Sequence, residues 1–215
     1  MRVVVVSPAD GNADTPRTVE ALFLAGLVRY HLRKPDWNAQ QTAAWLEAMP
    51  ARWWSRVVLH RHHEVAKAFR TSVHLRDDGS PALDAPPHVP KSCIVSRSCH
   101  DLVSVRRSLG RYDAVFFGPV YPSLSKPGYG PSPNETFADL RRLLATRTEA
   151  EQRTEVVAIG GVTSGHLVQC RQLGFDAVAV LGAVWQAPDP CAAFVNLRNE
   201  SLRVAALHAC ERDPS

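Results

Sequence analysis

The 215-residue sequence has no apolar run that approaches the roughly 20 residues required by a membrane-spanning helix. Its N-terminal apolar stretch, residues 3–6, is also too short for the core of a signal peptide. Because neither kind of segment is present, the sequence predicts a cytoplasmic protein that does not bind a membrane.

Cysteine is scarce, and the net charge is small. The five cysteines, Cys93, Cys99, Cys170, Cys191 and Cys210, form an odd set without C-x-x-C spacing, which predicts reduced thiols packed inside the protein. The formal net charge is +4, and Lys and Arg are scattered rather than aligned on one helix face. A nucleic-acid partner is therefore not expected, whereas a small anionic substrate fits this charge.

The sequence does contain eight short apolar runs rich in β-branched residues, separated by segments of helical length. The runs lie at residues 3–6, 27–32, 56–60, 72–75, 93–96, 113–118, 155–159 and 176–181. The helical segments lie at residues 15–25, 38–48, 62–70, 101–109, 134–146, 163–173 and 189–209. Apolar strands that alternate with helices are typical of a parallel sheet covered on both faces. Eight such units predict an α/β protein with a single (β/α)8 TIM barrel over residues 1–210 and a flexible tail at 211–215.

The alternative fold is an open, doubly wound sheet, although the G-x-G-x-x-G nucleotide fingerprint of that class is absent.

Two connections depart from the regular alternation of strand and helix. Residues 77–92 contain four prolines, which predicts a loop in place of the fourth helix. Residues 119–133 are too many for an ordinary strand-to-helix loop and are predicted to form a lid.

The last two strand-like runs both end at glycine. Gly160 and Gly161 follow the seventh run, and Gly182 with Ala183 follows the eighth. Backbone amides at such junctions, next to a helix N-terminus, bind phosphate, and the phosphate site of a TIM barrel usually lies after strands 7 and 8. These four residues are therefore predicted to bind a phosphate; alternatively, the glycines only form tight turns.

Functional side chains of a TIM barrel come from the C-terminal ends of its strands. In this sequence those ends carry His31, Arg33, Lys34, His60, Arg61, His62, His63, Arg76, Asp77, Asp78, Ser98, His100, Ser123, Ser125 and Lys126. The predicted mouth is thus strongly cationic. Lys126, with Ser123 and Ser125 beside it, is either a substrate clamp or a solvated loop charge.

Two stretches of this mouth have competing interpretations. His100 is a candidate acid-base residue or a capping histidine, and its neighbour Cys99 alternates to the other face of the strand as a core thiol. The stretch His60 to His63 could suggest zinc, but H-E-x-x-H or Cys/His spacing is absent, and His62 and His63 would point in different directions.

In chain order, these residues resemble the thiamin phosphate synthase/TenI family. The resemblance rests on His31-Leu32-Arg33-Lys34, Val73-His74-Leu75, Ser98-Cys99-His100, the run from Gly118 through Pro119-Val120-Tyr121-Pro122-Ser123-Leu124-Ser125 to Lys126, and the two glycine junctions. It implies a (β/α)8 barrel, commonly a homodimer, whose final loops hold the phosphate of a thiazole phosphate.

Synthase members of this family join a pyrimidine diphosphate to the thiazole and use Mg²⁺ held by one Asp after strand 3 and another after strand 4. Arg33, Ser98, Ser125 and Lys126 match the residues around the pyrophosphate, and Asp77 or Asp78 loosely matches the strand 4 Asp. The Asn-Asp pair that ends strand 3 in the family is replaced by His60-Arg61, and the lysine after the strand 2 Arg is replaced by Pro35, with Lys34 adjacent. A guanidinium about 5 Å from Mg²⁺ would be repelled by about 6 kcal/mol at an effective dielectric constant of about 20.

TenI-type members are thiazole tautomerases, which need no metal and move a proton with a histidine at the position of His100. Imidazole, whose unperturbed pKa is about 6.5, suits this transfer near neutral pH. The leading hypothesis is therefore a thiazole tautomerase with His100, Arg33 and Lys126 as catalytic residues and no cofactor. In this hypothesis His31, Lys34, His60, Arg61, Ser98, Ser123 and Ser125 also bind substrate. The alternatives are a thiamine-phosphate synthase with Mg²⁺, and a phosphate-binding regulatory protein without turnover.

Overall fold

Eight parallel strands pair in sequence order, and β8 pairs with β1 to close a barrel. The strands are β1 (Arg2–Val6), β2 (Tyr30–Leu32), β3 (Val57–Leu59), β4 (Ser72–Leu75), β5 (Val95–Cys99), β6 (Ala114–Phe117), β7 (Glu155–Ile159) and β8 (Ala177–Val180). The computed structural model describes residues 1–9, 13–77, 88–122, 130–131 and 136–212. The predicted closed barrel is confirmed, and the open-sheet alternative is wrong.

Alternate residues of the strands face the inside of the barrel. Val4 and Val6 of β1 pack there with Phe116 of β6, while Val3 and Val5 belong to the larger core between the barrel and its helices. On the β2 to β5 side, four interior positions are polar and buried, namely His31, Ser72, His74 and Ser96, beside Val58 of β3. One half of the barrel interior is therefore apolar, and the other half carries imidazoles and hydroxyls.

Helices cover the outside of the barrel. They are α1 (Pro16–Leu24), α2 (Ala39–Glu47), α3 (His63–Phe69), α4 (Leu102–Ser108), α5 (Phe137–Ala145), α6 (Leu167–Leu173), α7 (Gly182–Trp185) and α8 (Pro190–Arg212). Side chains near the first residue fix where two of these helices begin. Asn38 and Gln41 form a capping box at α2, and Asp101 and Ser104 form one at α4. Side-chain oxygens thus satisfy backbone N–H groups that a helix leaves unpaired.

The seven predicted helical segments are confirmed, but α7 and the 3-10 helices Ala51–Arg56 and Glu151–Arg153 were not predicted. Residues 88–92 contain no helix, in agreement with a loop, while residues 78–87 lie outside the described residues. Most of the predicted lid, residues 123–129 and 132–133, also lies outside them. The helix α8 runs to Arg212, so it includes the first two residues of the predicted tail.

The thiols of Cys93, Cys99 and Cys170 are free and buried, as predicted, and the free thiol of Cys191 is partly buried. In the described part of the chain, no helix is both long enough and apolar enough to cross a membrane.

Candidate active site

A cavity of about 640 Å³ opens at the C-terminal ends of the strands. Its lining residues extend around the barrel, from Val6 at the end of β1 through His74 and Phe116 to Val180 of β8. Catalytic and ligand-binding residues of (β/α)8 enzymes lie at this end of the barrel, so the cavity is the candidate active site.

The junction after β7 requires glycine for two reasons. Gly160 and Gly161 have φ values of +94° and +65°, a conformation that side chains disfavour. A Cβ on Gly160 would lie 2.6 Å from Cα of Pro119, and a Cβ on Gly161 would lie 2.4 Å from the carbonyl oxygen of Pro122. The segment after β6 therefore packs directly against this turn, and both glycines also line the cavity.

The junction after β8 differs, because a Cβ on Gly182 would meet only the side chain of Gln186, at 3.3 Å. Gly182 and Ala183 are the first two residues of α7, so their N–H groups have no partner within the helix. Both residues line the cavity beside Gly160 and Gly161, because β7 and β8 are paired neighbours. All four predicted phosphate-binding residues thus border one wall of the cavity.

His100 follows β5 and is exposed at the cavity. Its Nδ1 lies 2.9 Å from the carbonyl oxygen of Gly118. A carbonyl can only accept a hydrogen bond, so Nδ1 carries the proton and Nε2 of the neutral ring keeps a lone pair. This arrangement prepares Nε2 to take up a proton.

Three histidines form a cluster inside the barrel next to the cavity: the rings of His60 and His74 are stacked, and the ring of His31 meets both of them edge-on. The ring centroids of His60 and His74 are 4.1 Å apart, and Nδ1 of His31 lies 3.1 Å from Nε2 of His60. Burial, followed by the charge of neighbouring groups, lowers the pKa of His31 and His60 far below the usual value for histidine and that of His74 to about 3. All three rings are therefore neutral at pH 7.

His60 and His74 line the cavity, but His31 is fully buried beside them and does not. The prediction that His31 binds substrate is corrected accordingly: it contacts other imidazoles rather than the cavity. His74 was named only as part of a motif. The alternation of Val73, His74 and Leu75 along β4 could have identified it as the residue that faces inward.

Lys34, predicted to bind substrate, lines the cavity, but its charge is paired with a carboxylate. Its Nζ lies 2.8 Å from Oδ1 of Asp14, and both side chains are almost completely buried. Tyr30 donates a hydrogen bond of 2.8 Å to the other carboxylate oxygen, and the indole of Trp45 donates to the Asp14 carbonyl. Lys34 therefore holds the loop after β2 in position instead of serving as a mobile cation.

The cations of the mouth that line the cavity include Arg33, Arg61 and Arg76. Ser7 fixes the backbone of Arg33, because its hydroxyl accepts from the Arg33 N–H at 2.7 Å and donates to the Arg33 carbonyl at 3.0 Å. Arg61 is exposed at the rim and donates to the carbonyl oxygen of Pro35. Sequence reasoning missed the role of Ser7, because its partner lies 26 residues away.

Asp77 was predicted as a possible magnesium ligand, but its carboxylate is paired with Arg97 at 3.0 Å. It is the sole carboxylate among the described residues that line the cavity, and Arg33 and Arg61 line the same cavity. Hard divalent cations prefer several oxygen ligands. A Mg²⁺ site built on two carboxylates therefore does not fit the described residues. Asp78, Ser123, Ser125 and Lys126 lie outside them.

The stretch from His60 to His63 does not converge on one point. Nε2 of His62 lies 2.8 Å from the carbonyl oxygen of Trp37, and His63 is exposed at the start of α3. Ser98, predicted to bind substrate, lines the cavity with its Oγ 2.8 Å from Nε2 of His74.

Comparison with known proteins agrees with this geometry. Residues 2–184 match the family model described as thiamine monophosphate synthase. The thiamine-phosphate synthase of Thioalkalivibrio sulfidiphilus is 30% identical over 203 residues, which cover 90% of this chain and 88% of that protein. The crystal structure of thiamine phosphate pyrophosphorylase from Bacteroides thetaiotaomicron has a TM-score of 0.72 at 26% identity and covers 96% of this chain and 98% of that one. The chain therefore belongs to the thiamine monophosphate synthase family, whose members act in thiamine biosynthesis.

Proposed function

We propose that this protein is a thiamine-phosphate synthase, which joins a pyrimidine diphosphate to a thiazole phosphate in the mouth of the barrel. The observation that carries the proposal is that one cavity has anion-binding groups on two sides. The amides of Gly160, Gly161 and Gly182 lie after β7 and β8, and Arg33 and Arg61 lie after β2 and β3. A reaction between two phosphorylated substrates needs both sets, whereas a single phosphorylated substrate needs only one phosphate site.

The cavity has a volume of about 640 Å³, which is in the range of pockets that enclose small organic ligands. In the proposed complex the thiazole phosphate accepts hydrogen bonds from the amides after β7 and β8. The diphosphate lies against Arg33 and Arg61, whose guanidinium groups stabilise the negative charge that develops as pyrophosphate leaves. Holding the two rings together in one cavity removes much of the entropic cost of their meeting.

The arginines carry the positive charge in this proposal, because the described donor set does not fit a magnesium ion. We therefore predict that wild-type turnover depends only weakly on Mg²⁺. Arg61→Asp, which removes a repelling charge and adds an oxygen ligand, should increase the stimulation by Mg²⁺. Arg61→Gln is the matched control, since it removes the charge without adding the ligand.

The test is incubation of the purified protein with both substrates, with and without Mg²⁺, followed by quantification of thiamine phosphate and pyrophosphate. Absence of product under both conditions would refute the synthase proposal and leave tautomerisation or phosphate binding without turnover. A strict Mg²⁺ requirement in the wild type would refute only the role given to the arginines.

Thiazole tautomerisation is the second candidate function, and the geometry of His100 favours it. Nε2, left with a lone pair by the hydrogen bond from Nδ1 to the Gly118 carbonyl, would take a proton from a ring carbon and return it to another atom of the ring system. This reaction needs no metal and only one phosphate site. The homodimer and the cytoplasmic location expected from the sequence stay predictions.

A further inference from the structure

The three clustered histidines have the composition of a metal site that is distinct from the family's magnesium site. His31, His60 and His74 each offer one ring nitrogen, and these three nitrogens lie within 4.8 Å of one another. The side chain of His31 is fully buried, that of His74 is 2% exposed, and His60 is partly buried at the floor of the cavity. No carboxylate belongs to this group.

Hydrogen bonds determine which nitrogen of His74 is available. The hydroxyl of Ser96 donates to the Val73 carbonyl at 3.3 Å, so its oxygen accepts from Nδ1 of His74 at 2.8 Å. Nδ1 therefore carries the proton, and Nε2 keeps a lone pair that now accepts from Ser98 at 2.8 Å. A metal-bound histidine typically has this arrangement, with its second nitrogen donating to an oxygen.

His31 has an unsatisfied nitrogen. Its Nδ1 shares one hydrogen bond with Nε2 of His60, while its Nε2 is buried without a hydrogen-bond partner among the described residues. A buried polar atom without a partner costs about 1 to 3 kcal/mol. The nitrogen that faces His60 is Nδ1, so Nδ1 is the His31 atom available to a metal, and Nε2 would carry the ring proton.

We propose that His31, His60 and His74 bind one transition-metal ion of the Zn²⁺ class, with a fourth coordination position open to the cavity. Imidazole nitrogens favour zinc, copper, nickel and iron over magnesium and calcium. Three histidines with one exchangeable position form the usual pattern of a catalytic zinc site.

The geometry requires only small movements. Ligands of a tetrahedral zinc ion with bonds of 2.0 to 2.1 Å are about 3.4 Å apart. The nitrogens of His31 and His60 are already 3.1 Å apart, and no pair in the cluster exceeds 4.8 Å. Shifts of about 1 Å in the rings would therefore complete the site.

The charge of the site indicates what its fourth position would accept. Three neutral imidazoles leave the full charge of the ion, and Arg33 lines the same cavity as His60 and His74. The repulsion between Arg33 and the ion weakens metal binding unless an anion joins both. The fourth ligand would therefore be an anionic oxygen, of a phosphate or a carboxylate, in the cavity.

The test uses the full-length protein after treatment with a chelator. Calorimetric titration with Zn²⁺ alone should give one bound ion per chain, and Co²⁺ should produce the visible absorption band of a four-coordinate site with nitrogen ligands. His60→Asn, which introduces the residue that family members carry there, should weaken Zn²⁺ binding by more than about 100-fold, because loss of a second-shell partner alone costs 10- to 100-fold. The matched control His63→Asn alters an exposed neighbouring histidine and should bind as the wild type does.

A second variant tests the site by a gain of affinity, which a folding defect cannot mimic. Ser98→Ala removes the hydroxyl that donates to Nε2 of His74 and should tighten Zn²⁺ binding about fivefold, the equivalent of one hydrogen bond. Absence of binding by the wild type would overturn the proposal. Wild-type affinity in His60→Asn, lost affinity in His63→Asn, or weaker binding by Ser98→Ala would each overturn the assigned ligands.

Discussion

The chemistry of His100 depends on one hydrogen bond, from its Nδ1 to the Gly118 carbonyl. This bond joins the end of β5 to the loop that follows β6, so two neighbouring strands orient the ring. Because His100 lines the cavity and its Nδ1 is engaged, Nε2 is the atom available for proton transfer, and an acid-base group must lie within about 3 Å of the proton that it moves.

We predict that His100→Gln lowers thiazole tautomerisation by about 10²- to 10⁴-fold, the usual contribution of general acid-base catalysis. Glutamine can still donate to the Gly118 carbonyl, but it cannot take up a proton. The affinity for thiazole phosphate should change little, because His100 is not among the groups proposed to bind the phosphate. Ultraviolet absorbance follows aromatisation of the isolated substrate.

Wild-type rates in His100→Gln would remove this histidine from catalysis. If both the rate and the affinity fell, His100 would be a residue that positions the substrate.

Single residues also show how far sequence reasoning reaches. His100 and Arg33 were recognised because they follow strand-like runs within family motifs. The ion pair of Lys34 was missed because its partner Asp14 lies 20 residues earlier, in a loop without a pattern. A motif predicts at which strand end a charged residue lies. The partner that neutralises its charge depends on contacts that form only in the folded chain.

At the scale of elements, the two glycine junctions have different physical requirements. Gly160 and Gly161 are constrained by positive φ values and by the backbone of residues 119–122, so a substitution there disturbs the β6 loop as well as any phosphate. Gly182 has neither constraint. It is therefore the better position for testing the phosphate site.

We predict that Gly182→Val weakens thiazole phosphate binding by about 10- to 100-fold, which corresponds to the loss of a hydrogen bond to a charged group. The added side chain would crowd Gln186 at the cavity wall that Gly182 and Ala183 also line, and would narrow the access of a phosphate to their amides. Calorimetry measures the dissociation constant, and thermal unfolding shows whether the barrel is intact.

Gly165→Val is the control, because Gly165 is exposed in a 3-10 helix and a Cβ there would have open space except for Oγ1 of Thr163 at 3.8 Å. An unchanged dissociation constant for Gly182→Val would remove this junction from the phosphate site.

The elements that sequence reasoning found are those with strong patterns: eight apolar strands and the longer helices. The elements that it missed, such as α7 with four residues and the 3-10 helix Ala51–Arg56, are too short to show a hydrophobic period. One missed element borders the candidate site, because the proposed phosphate amides belong to the first turn of α7.

At the scale of the whole molecule, the two ends of the barrel have different roles: one forms the candidate site, and the other carries a buried ion pair. The C-terminal end carries the cavity, the arginines and the histidines. At the other end, the first residue of β7, Glu155, forms ion pairs with Arg2 of β1 at 2.7 Å and with Arg29 before β2. These contacts join the start of β7 to the starts of β1 and β2, and β8 lies between β7 and β1 in the closed sheet.

Sequence reasoning predicted closure from the number of strands, but it could not predict this ionic contact. Arg29 and Glu155 are 126 residues apart, and only closure of the barrel brings them together. Both side chains are largely buried, and burial, followed by repulsion from Arg2, lowers the pKa of Arg29 to about 10. The guanidinium remains charged at pH 7 and needs a counter-charge.

We predict that Glu155→Gln lowers the free energy of unfolding by about 3 kcal/mol, because breaking a buried ion pair leaves the charge of Arg29 uncompensated. Glu200→Gln is the control: its ion pair with Arg203 is exposed and should contribute less than about 1 kcal/mol. Urea unfolding at pH 7 measures both changes. The double variant Arg29→Gln, Glu155→Gln should lose less than the sum of the single losses, because it removes the uncompensated charge together with its partner. Equal losses in Glu155→Gln and Glu200→Gln, or strictly additive losses in the double variant, would mean that the barrel closes without support from this ion pair.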